Sequence, residues 1–378
     1  MKKLDIKLLQ TNIDSIAHYD LSNNKVFGSA YWVFQENELT YEKYYGNLSA
    51  DNSPVKEDTL FRLASMTKPI TAIAILILLE RGALSLTDPV SKYLPEFKDI
   101  RIKGFDSSDN IVDLGKPEKE VKIINLLTHT SGVGSNPSKL DKMTSEDKKT
   151  IDNSVKYHIN MGLDFEPDSA QQYSGTGAFD VLVKIIEMLS KEDYLSFLKR
   201  EIFEPCGMKD TTFIPSSEQW SRMISMHHKV NGENVIGQTY ENCVFRDFPC
   251  THFLGGAGLV STLKDYALFA KMLLKKGKTE TKNVISEETL KLMHTPYARK
   301  EIMPGKERWG LGVRVITDDS YGALPKGTFG WSGAFGSHFW IDYTNKIAAV
   351  FMKNSLFDGG SANESARNFE KAVNDSLV

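Results

Sequence analysis

Apolar positions recur with two different periods along this chain, and the change of period divides it into three stretches. Leu4, Leu8, Leu9, Ile13, Ile16 and Ala17 fall at helical spacing and predict an amphipathic first helix. Residues 26–35 and 39–45 are rich in β-branched and aromatic side chains on either side of Glu36-Asn37-Glu38, the pattern of a hairpin. The far end resumes that chemistry. Residues 309–316, 327–331, 338–343 and 347–354 read as strands, with a tight turn at Thr344-Asn345-Lys346, and residues 364–378 read as a closing helix. Between the ends the period becomes helical at 123–127, 180–189, 194–203 and 263–274, and Asp88-Pro89 looks like the start of a further helix over 90–94. Strands at both ends with helices between predict an α+β protein. One antiparallel sheet is built from residues 1–63 and 305–378 and flanked by the N- and C-terminal helices. A mainly helical lobe is inserted at 64–304, with a cleft between the two.

One apolar stretch has no polar face. Pro69 to Leu79 is hydrophobic all round, so a helix there must be buried on every side, and it is shorter than the roughly 20 residues a membrane span requires. Ser65-Met66-Thr67-Lys68 leads into it. Residues three apart share a helix face, which brings the Lys68 amine to the Ser65 hydroxyl. Burial and the helix N-terminus both lower a lysine pKa, so Lys68 can serve Ser65 as a neutral base. Five other serines, Ser22, Ser53, Ser145, Ser196 and Ser261, also have Lys three residues on, but in polar surroundings. The competing explanation for Ser65 is an N-cap serine beside a snorkelling lysine.

Composition narrows the function classes. Among 378 residues, 46 Lys and Arg against 49 Asp and Glu give a net charge of −3, which offers no footprint for nucleic acid or an anionic membrane. The first residues carry lysines but no apolar run behind them, so the reading is a cytoplasmic protein. Cys206, Cys243 and Cys250 are the only cysteines and fit reduced thiols; Cys243, Cys250 and His252 match no common zinc spacing, so no metal and no cofactor are expected.

A serine nucleophile needs a second proton carrier and an oxyanion hole. Tyr173-Ser174-Gly175 lies in a short loop before a helix, where a phenol can pass a proton between serine and leaving group. Trp331-Ser332-Gly333-Ala334 lies on a glycine-rich strand end, where the amide after Gly333 can face an oxyanion. Ser332 is itself a rival nucleophile, since Gly330-x-Ser332-x-Ala334 approaches the G-x-S-x-G elbow. That elbow requires a helix directly after it, with Asp and His further on. Here the next element reads as a strand, and His338 is the only later histidine. Polar stretches at 104–117 and 135–150 are candidates for shaping a pocket.

Together, Ser65-x-x-Lys68, Tyr173-Ser174-Gly175 and Trp331-Ser332-Gly333 resemble the serine β-lactamase and penicillin-binding-protein superfamily. The resemblance is to its class C-like, β-lactamase-related members and the family VIII carboxylesterases in particular. Leu126-Leu127-Thr128-His129-Thr130-Ser131-Gly132 and Gly255-Gly256-Ala257-Gly258-Leu259 extend it across most of the chain. It implies a β-lactamase/transpeptidase-like fold in which Ser65 is acylated and Lys68 and Tyr173 share the acid–base work. The amides of Ser65 and Ala334 would form the oxyanion hole, Trp331, Ser332, Gly333 and Gly175 would line the substrate site, and His129 would be structural. Two positions depart from the pattern. Gly175 stands where the family's second motif has Asn, which removes an amide-binding side chain. Trp331 stands where β-lactamases and peptidases have Lys, which removes a partner for a substrate carboxylate. Both favour small neutral esters over lactams, D-alanyl peptides and other amides. A β-lactamase or peptidase with the same machinery, and a non-catalytic penicillin-recognising module, are the alternatives; oligomeric state stays open.

Overall fold

The alternation at the two chain ends closes into one sheet. In the computed structural model, residues 2–49, 52–230, 233–236, 252–361 and 363–378 are described, 228–230 and 233–236 through their backbone alone. The strands run β1 (Gly28–Gln35), β2 (Glu38–Gly46), β3 (Leu60–Arg62), β4 (Ile102–Phe105), β5 (Ile111–Gly115), β6 (His227–Val230), β7 (Glu233–Ile236), β8 (Val260–Thr262), β9 (Glu307–Trp309), β10 (Arg314–Ile316), β11 (Phe329–Ser332), β12 (His338–Asp342) and β13 (Ile347–Met352). Seven of them form an antiparallel sheet ordered β2-β1-β13-β12-β11-β10-β9. Its two halves meet where Ala30 pairs with Met352 and Gln35 with Ile347. The α+β class expected from the sequence is the class observed.

Period two decides which side chains go to which face. On one face Tyr31, Trp340 and Phe351 meet Leu9 and Ile13 of the Ile6–Ser22 helix and Phe369 of the Glu364–Asp375 helix. Tyr31 stacks on Phe351 at 4.6 Å between centroids, and Phe369 meets Trp340 edge-on at 4.9 Å. On the other face the Leu263–Leu274 helix packs Tyr266 edge-on against Phe339 at 5.2 Å. That apolar cluster continues into the Thr67–Glu80 and Gly177–Ser190 helices. Every residue from Thr67 to Leu78 is buried, as an all-round apolar helix demands. Each such Leu or Ile contributes about 1.5–3 kcal/mol on leaving water.

Ser65 is placed by the junction ahead of that helix. β3 pairs with β8, and the Leu63 N–H donates to Leu259 O at 2.9 Å. Ala64 then takes a left-handed φ of +46° and swings the chain into the 3-10 turn Ala64–Met66, which leads into the Thr67–Glu80 helix. A left-handed residue with a Cβ costs about 1–2 kcal/mol, held here by burial of Ala64 against Met226 and Phe335.

Three local expectations change. Residues 309–316 are two strands, not one. Gly312, at φ +69°, folds the chain back between β9 and β10, the Gly310 N–H donates to Val313 O at 2.9 Å, and the glycine backs onto the Lys68 carbonyl, where a Cβ would lie 3.1 Å from that oxygen. Asp88 does not open a helix over 90–94. Its carboxylate accepts from the Ser85 N–H and from Lys92, and only a 3-10 turn, Val90–Lys92, forms. The helix at 194–203 begins as Tyr194–Leu198 and widens into the π turn Lys199–Phe203. Among the described residues no helix is long and apolar enough to cross a membrane.

Candidate active site

Ser65, Lys68 and Tyr173 meet at the mouth of the buried helix. Tyr173 donates its hydroxyl to Ser65 Oγ at 2.7 Å, and Lys68 Nζ lies 3.3 Å from the same oxygen. Lys68 is wholly buried, and its side-chain nitrogen also reaches two backbone carbonyls, Gly175 O at 2.6 Å and Gly256 O at 2.8 Å. Among the described residues no carboxylate lies within ion-pair distance of it. Burial therefore pulls the Lys68 pKa down, with Tyr173 and Asp180 only partly offsetting the shift. Gly256 is required by this contact: a Cβ there would sit 2.4 Å from Gly175 O and 3.0 Å from Lys68 Nζ. Gly175 is different, since a Cβ there would meet nothing within 4 Å.

The Tyr173 loop is held from beneath by His129. Its Nδ1 accepts from the Ser174 N–H at 3.0 Å, and its ring packs against Tyr173 and Trp309 at 4.6 and 4.3 Å. Burial and then the nearby Lys68 push the His129 pKa well down, so the ring is neutral, in keeping with a structural post. Trp331 donates its indole N–H to the Tyr173 hydroxyl at 3.3 Å, and Trp309 packs edge-on against Trp331 at 4.5 Å. Tyr173, Trp309 and Trp331 thus form an aromatic wall beside Ser65.

That wall bounds a cavity of about 470 Å3 lined also by Ser65, Ser332, Gly333 and Ala334. Every residue singled out from the third motif therefore lies in the same cavity as Ser65; Gly175 is not among its lining residues and is tied to the site only through the bond from Lys68 Nζ to its carbonyl. Neither 104–117 nor 135–150 contributes to its lining.

The sequence reading missed the cavity's charged end. Glu307 and Arg314 from β9 and β10, and Arg367 from the C-terminal helix, line it too. The inference that Trp331 leaves the site without a cation is therefore corrected: two guanidiniums are present, delivered by other elements. They are engaged by two carboxylates. Glu370 Oε1 lies 3.3 Å from Arg314, its Oε2 lies 3.2 Å from Arg367, and Glu307 lies 3.4 Å from Arg314. The cluster continues through His338 to Ser332, with Ser332 Oγ 2.8 Å from His338 Nδ1 and His338 Nε2 3.0 Å from Glu370 Oε1.

Behind Lys68, Asp180 fixes the loop that carries Gly256. It accepts from the Gly255 N–H at 3.3 Å and from Ser154 at 2.7 Å, and pairs with His252 Nε2 at 3.0 Å. Against the effect of burial, this pairing raises the His252 pKa and lowers that of Asp180. Cys243 and Cys250, considered with His252 as metal ligands, lie outside the described residues. Cys206 is buried, which pushes its thiol up to about 12.

A family model described as Beta-lactamase matches residues 13–373. The chain belongs to the beta-lactamase family. It is thereby a serine hydrolase by family, in agreement with the resemblance drawn from its motifs. Protein Rv1367c of Mycobacterium tuberculosis is 28% identical over 350 residues, covering 86% of this chain and 85% of that protein. Esterase EstB of Burkholderia gladioli is 27% identical over 391 residues, covering 95% and 93%. The solved structure of EstCE1, a hydrolase with promiscuous acyltransferase activity, superposes with a TM-score of 0.81 at 22% identity over 98% of this chain and 99% of that one. This last match bears on the fold, which is β-lactamase/transpeptidase-like.

Proposed function

We propose that this beta-lactamase-family chain hydrolyses small neutral esters through an acyl-enzyme on Ser65. The observation that carries the reading is the set of acceptors around Lys68. A neutral amine has two N–H bonds and one lone pair. Gly175 O and Gly256 O take the two N–H bonds, and the lone pair is left for the Ser65 hydroxyl at 3.3 Å. With no carboxylate beside it among the described residues to hold a proton, Lys68 is a base for Ser65.

Ser65 Oγ attacks the ester carbonyl as its proton passes to Lys68. The amides of Ser65 and Ala334 stabilise the oxyanion, and Tyr173, 2.7 Å from Ser65 Oγ, gives its proton to the departing alkoxide. A water then takes the alkoxide's place and the steps reverse to release the acid. The aromatic wall accommodates an apolar acyl chain, and the open space at Gly175 leaves an amide or lactam without its side-chain partner. Esterase EstB, similar over nearly its whole length, is an esterase by name, which supports an ester as substrate.

Hydrolysis of p-nitrophenyl butyrate by wild type and Ser65→Ala, in the presence of a chelator, tests the proposal. Turnover in wild type and a loss of at least about 10³-fold in the variant are expected. Unchanged turnover in Ser65→Ala removes Ser65 as nucleophile. Faster nitrocefin than ester turnover would transfer the same machinery to lactams.

A further inference from the structure

Ser332 sits on β11 opposite His338, and the chain of contacts behind it decides the direction of its hydroxyl. Ser332, His338 and Glu370 are each at most 3% exposed, and Ser332 lines the cavity it shares with Ser65. Burial favours the neutral acid at Glu370, but the His338 hydrogen bond and the surrounding positive charges, those of Arg314 and Arg367 among them, overcome it and lower its pKa. An ionised carboxylate only accepts, so His338 Nε2 must carry the ring proton across the 3.0 Å contact. Burial keeps the imidazole neutral against the pull of Glu370, with both arginines opposing a further charge. Nδ1 is then a bare lone pair, and the only proton able to fill its 2.8 Å contact with Ser332 is the serine's own. A serine hydroxyl has one proton and two lone pairs. With the proton committed to His338, only lone pairs remain for the cavity.

We infer that Ser332 is a hydrogen-bond acceptor, held in that polarity by His338 and Glu370 as positioning residues, and that this end of the cavity selects substrates bearing a neutral N–H or O–H donor over those bearing a carboxylate. The substrate class is then an ester carrying a hydroxyl, carboxamide or ureido group on its acyl or alcohol part. This deepens the proposed function and rests on it for the position of the reacting carbonyl. A carboxylate would face the Ser332 lone pairs and find both nearby guanidiniums already engaged by Glu370 and Glu307. The same Ser–His–Glu geometry could activate a nucleophile, but Ser332 ends a strand rather than sitting on the sharp strand-to-helix turn that presents a nucleophile.

Two measurements on the full chain test the inference. Long-range 15N–1H correlation spectra of 15N-histidine protein, assigned with His338→Asn, read the tautomer. Protonated Nε2 with unprotonated Nδ1 is expected; an Nδ1–H tautomer or an imidazolium at neutral pH overturns the assignment. Phenylboronic acids that bond Ser65 then report selectivity through meta-hydroxymethyl, meta-carbamoyl and meta-carboxyl groups. The donor-bearing compounds should bind more tightly than the carboxylate. Ser332→Ala should cost them roughly 3- to 10-fold while moving the carboxylate little. Glu370→Gln, which permits the other tautomer, should narrow the ratio in the same direction. A carboxylate bound as tightly as the donors, or a boronate adduct on Ser332, refutes the inference. If a fluorophosphonate leaves Ser65 unlabelled and no boronate binds, the Ser65 reading falls, while the tautomer still decides the polarity of Ser332.

Discussion

Ser65 and Ser332 open onto one cavity, and each oxygen lies within reach of a basic nitrogen, yet their surroundings are opposite. Lys68, beside Ser65, is a buried amine with two carbonyls and a phenol around it and, among the described residues, no counterion in contact. His338, beside Ser332, is backed by Glu370, which is itself clasped by two arginines. The first arrangement weakens the hold of a base on its proton, at a cost in folding energy. The second pairs each charge with an opposite one and orients the hydrogens of His338 and Ser332. A base nearby does not make a nucleophile; what matters is whether the surroundings leave its lone pair available to a mobile proton.

The sharpest break of this contrast is Lys68→Met. It should lower kcat/KM for p-nitrophenyl butyrate by about 10³-fold or more, since the proposed base is lost. Thermal denaturation should nonetheless show a variant as stable as wild type or more so, because an apolar chain of similar length needs no desolvation of an ammonium. A lower melting temperature would make Lys68 a structural group. Glu370→Ala should do the reverse. It leaves Arg314, Arg367 and His338 without their common acceptor, and removing one partner from such a buried set costs about 3–5 kcal/mol of stability, measurable by urea denaturation.

pH separates the two regions more gently. With the Lys68 pKa lowered in the folded state, the unfolded chain binds more protons between that value and the ordinary 10.5. Wild-type stability should therefore gain on Lys68→Met as pH rises through that window. kcat/KM should fall as pH drops through the folded value and Lys68 takes up a proton. A rate independent of pH across this range would contradict the base assignment. The smallest effect is expected from Gly175→Asn. Its side chain enters open space, and carbamoyl or lactam substrates should gain on esters by no more than about tenfold, as for one added hydrogen bond. No change in that ratio would show that position 175 does not reach the substrate.

The three side chains that meet at Ser65 were legible because their signals are local: a serine and lysine one helical turn apart, ahead of a run with no polar face, and a tyrosine in a loop that enters another helix. The hairpin of β1 and β2 and the strands β11 to β13 were legible in the same way, from alternation and turn residues. Residues 309–316 misled because an apolar run looks the same whether or not a glycine folds it in two. The charged end of the cavity was invisible for a different reason. Arg314, His338 and Glu370 come together only through strand register and the docking of the last helix, which no window of sequence contains. One signal was present: Glu370 lies between Phe369 and Ala372 on the buried side of an amphipathic helix, where a carboxylate must have a partner. Gly256 stands in a glycine-rich family stretch, but nothing in its neighbours announced that its carbonyl would reach Lys68.

The pairing of β1 with β13 also has a consequence for how the enzyme comes into being. Ala30 leaves the ribosome well before Met352 and must wait for it, so the central ladder of the sheet cannot form until the chain has been synthesised through β13. The Ser65 turn emerges soon after β1, but β11 with Trp331, and Ala334 just beyond it, come late. On the proposed mechanism a nascent chain carrying Ser65 without Trp331 and Ala334 should be chemically silent, and until β13 is made the hairpin of β1 and β2 keeps one edge of β1 unpaired, a row of aromatic and β-branched residues that depends on chaperones or on speed to escape aggregation.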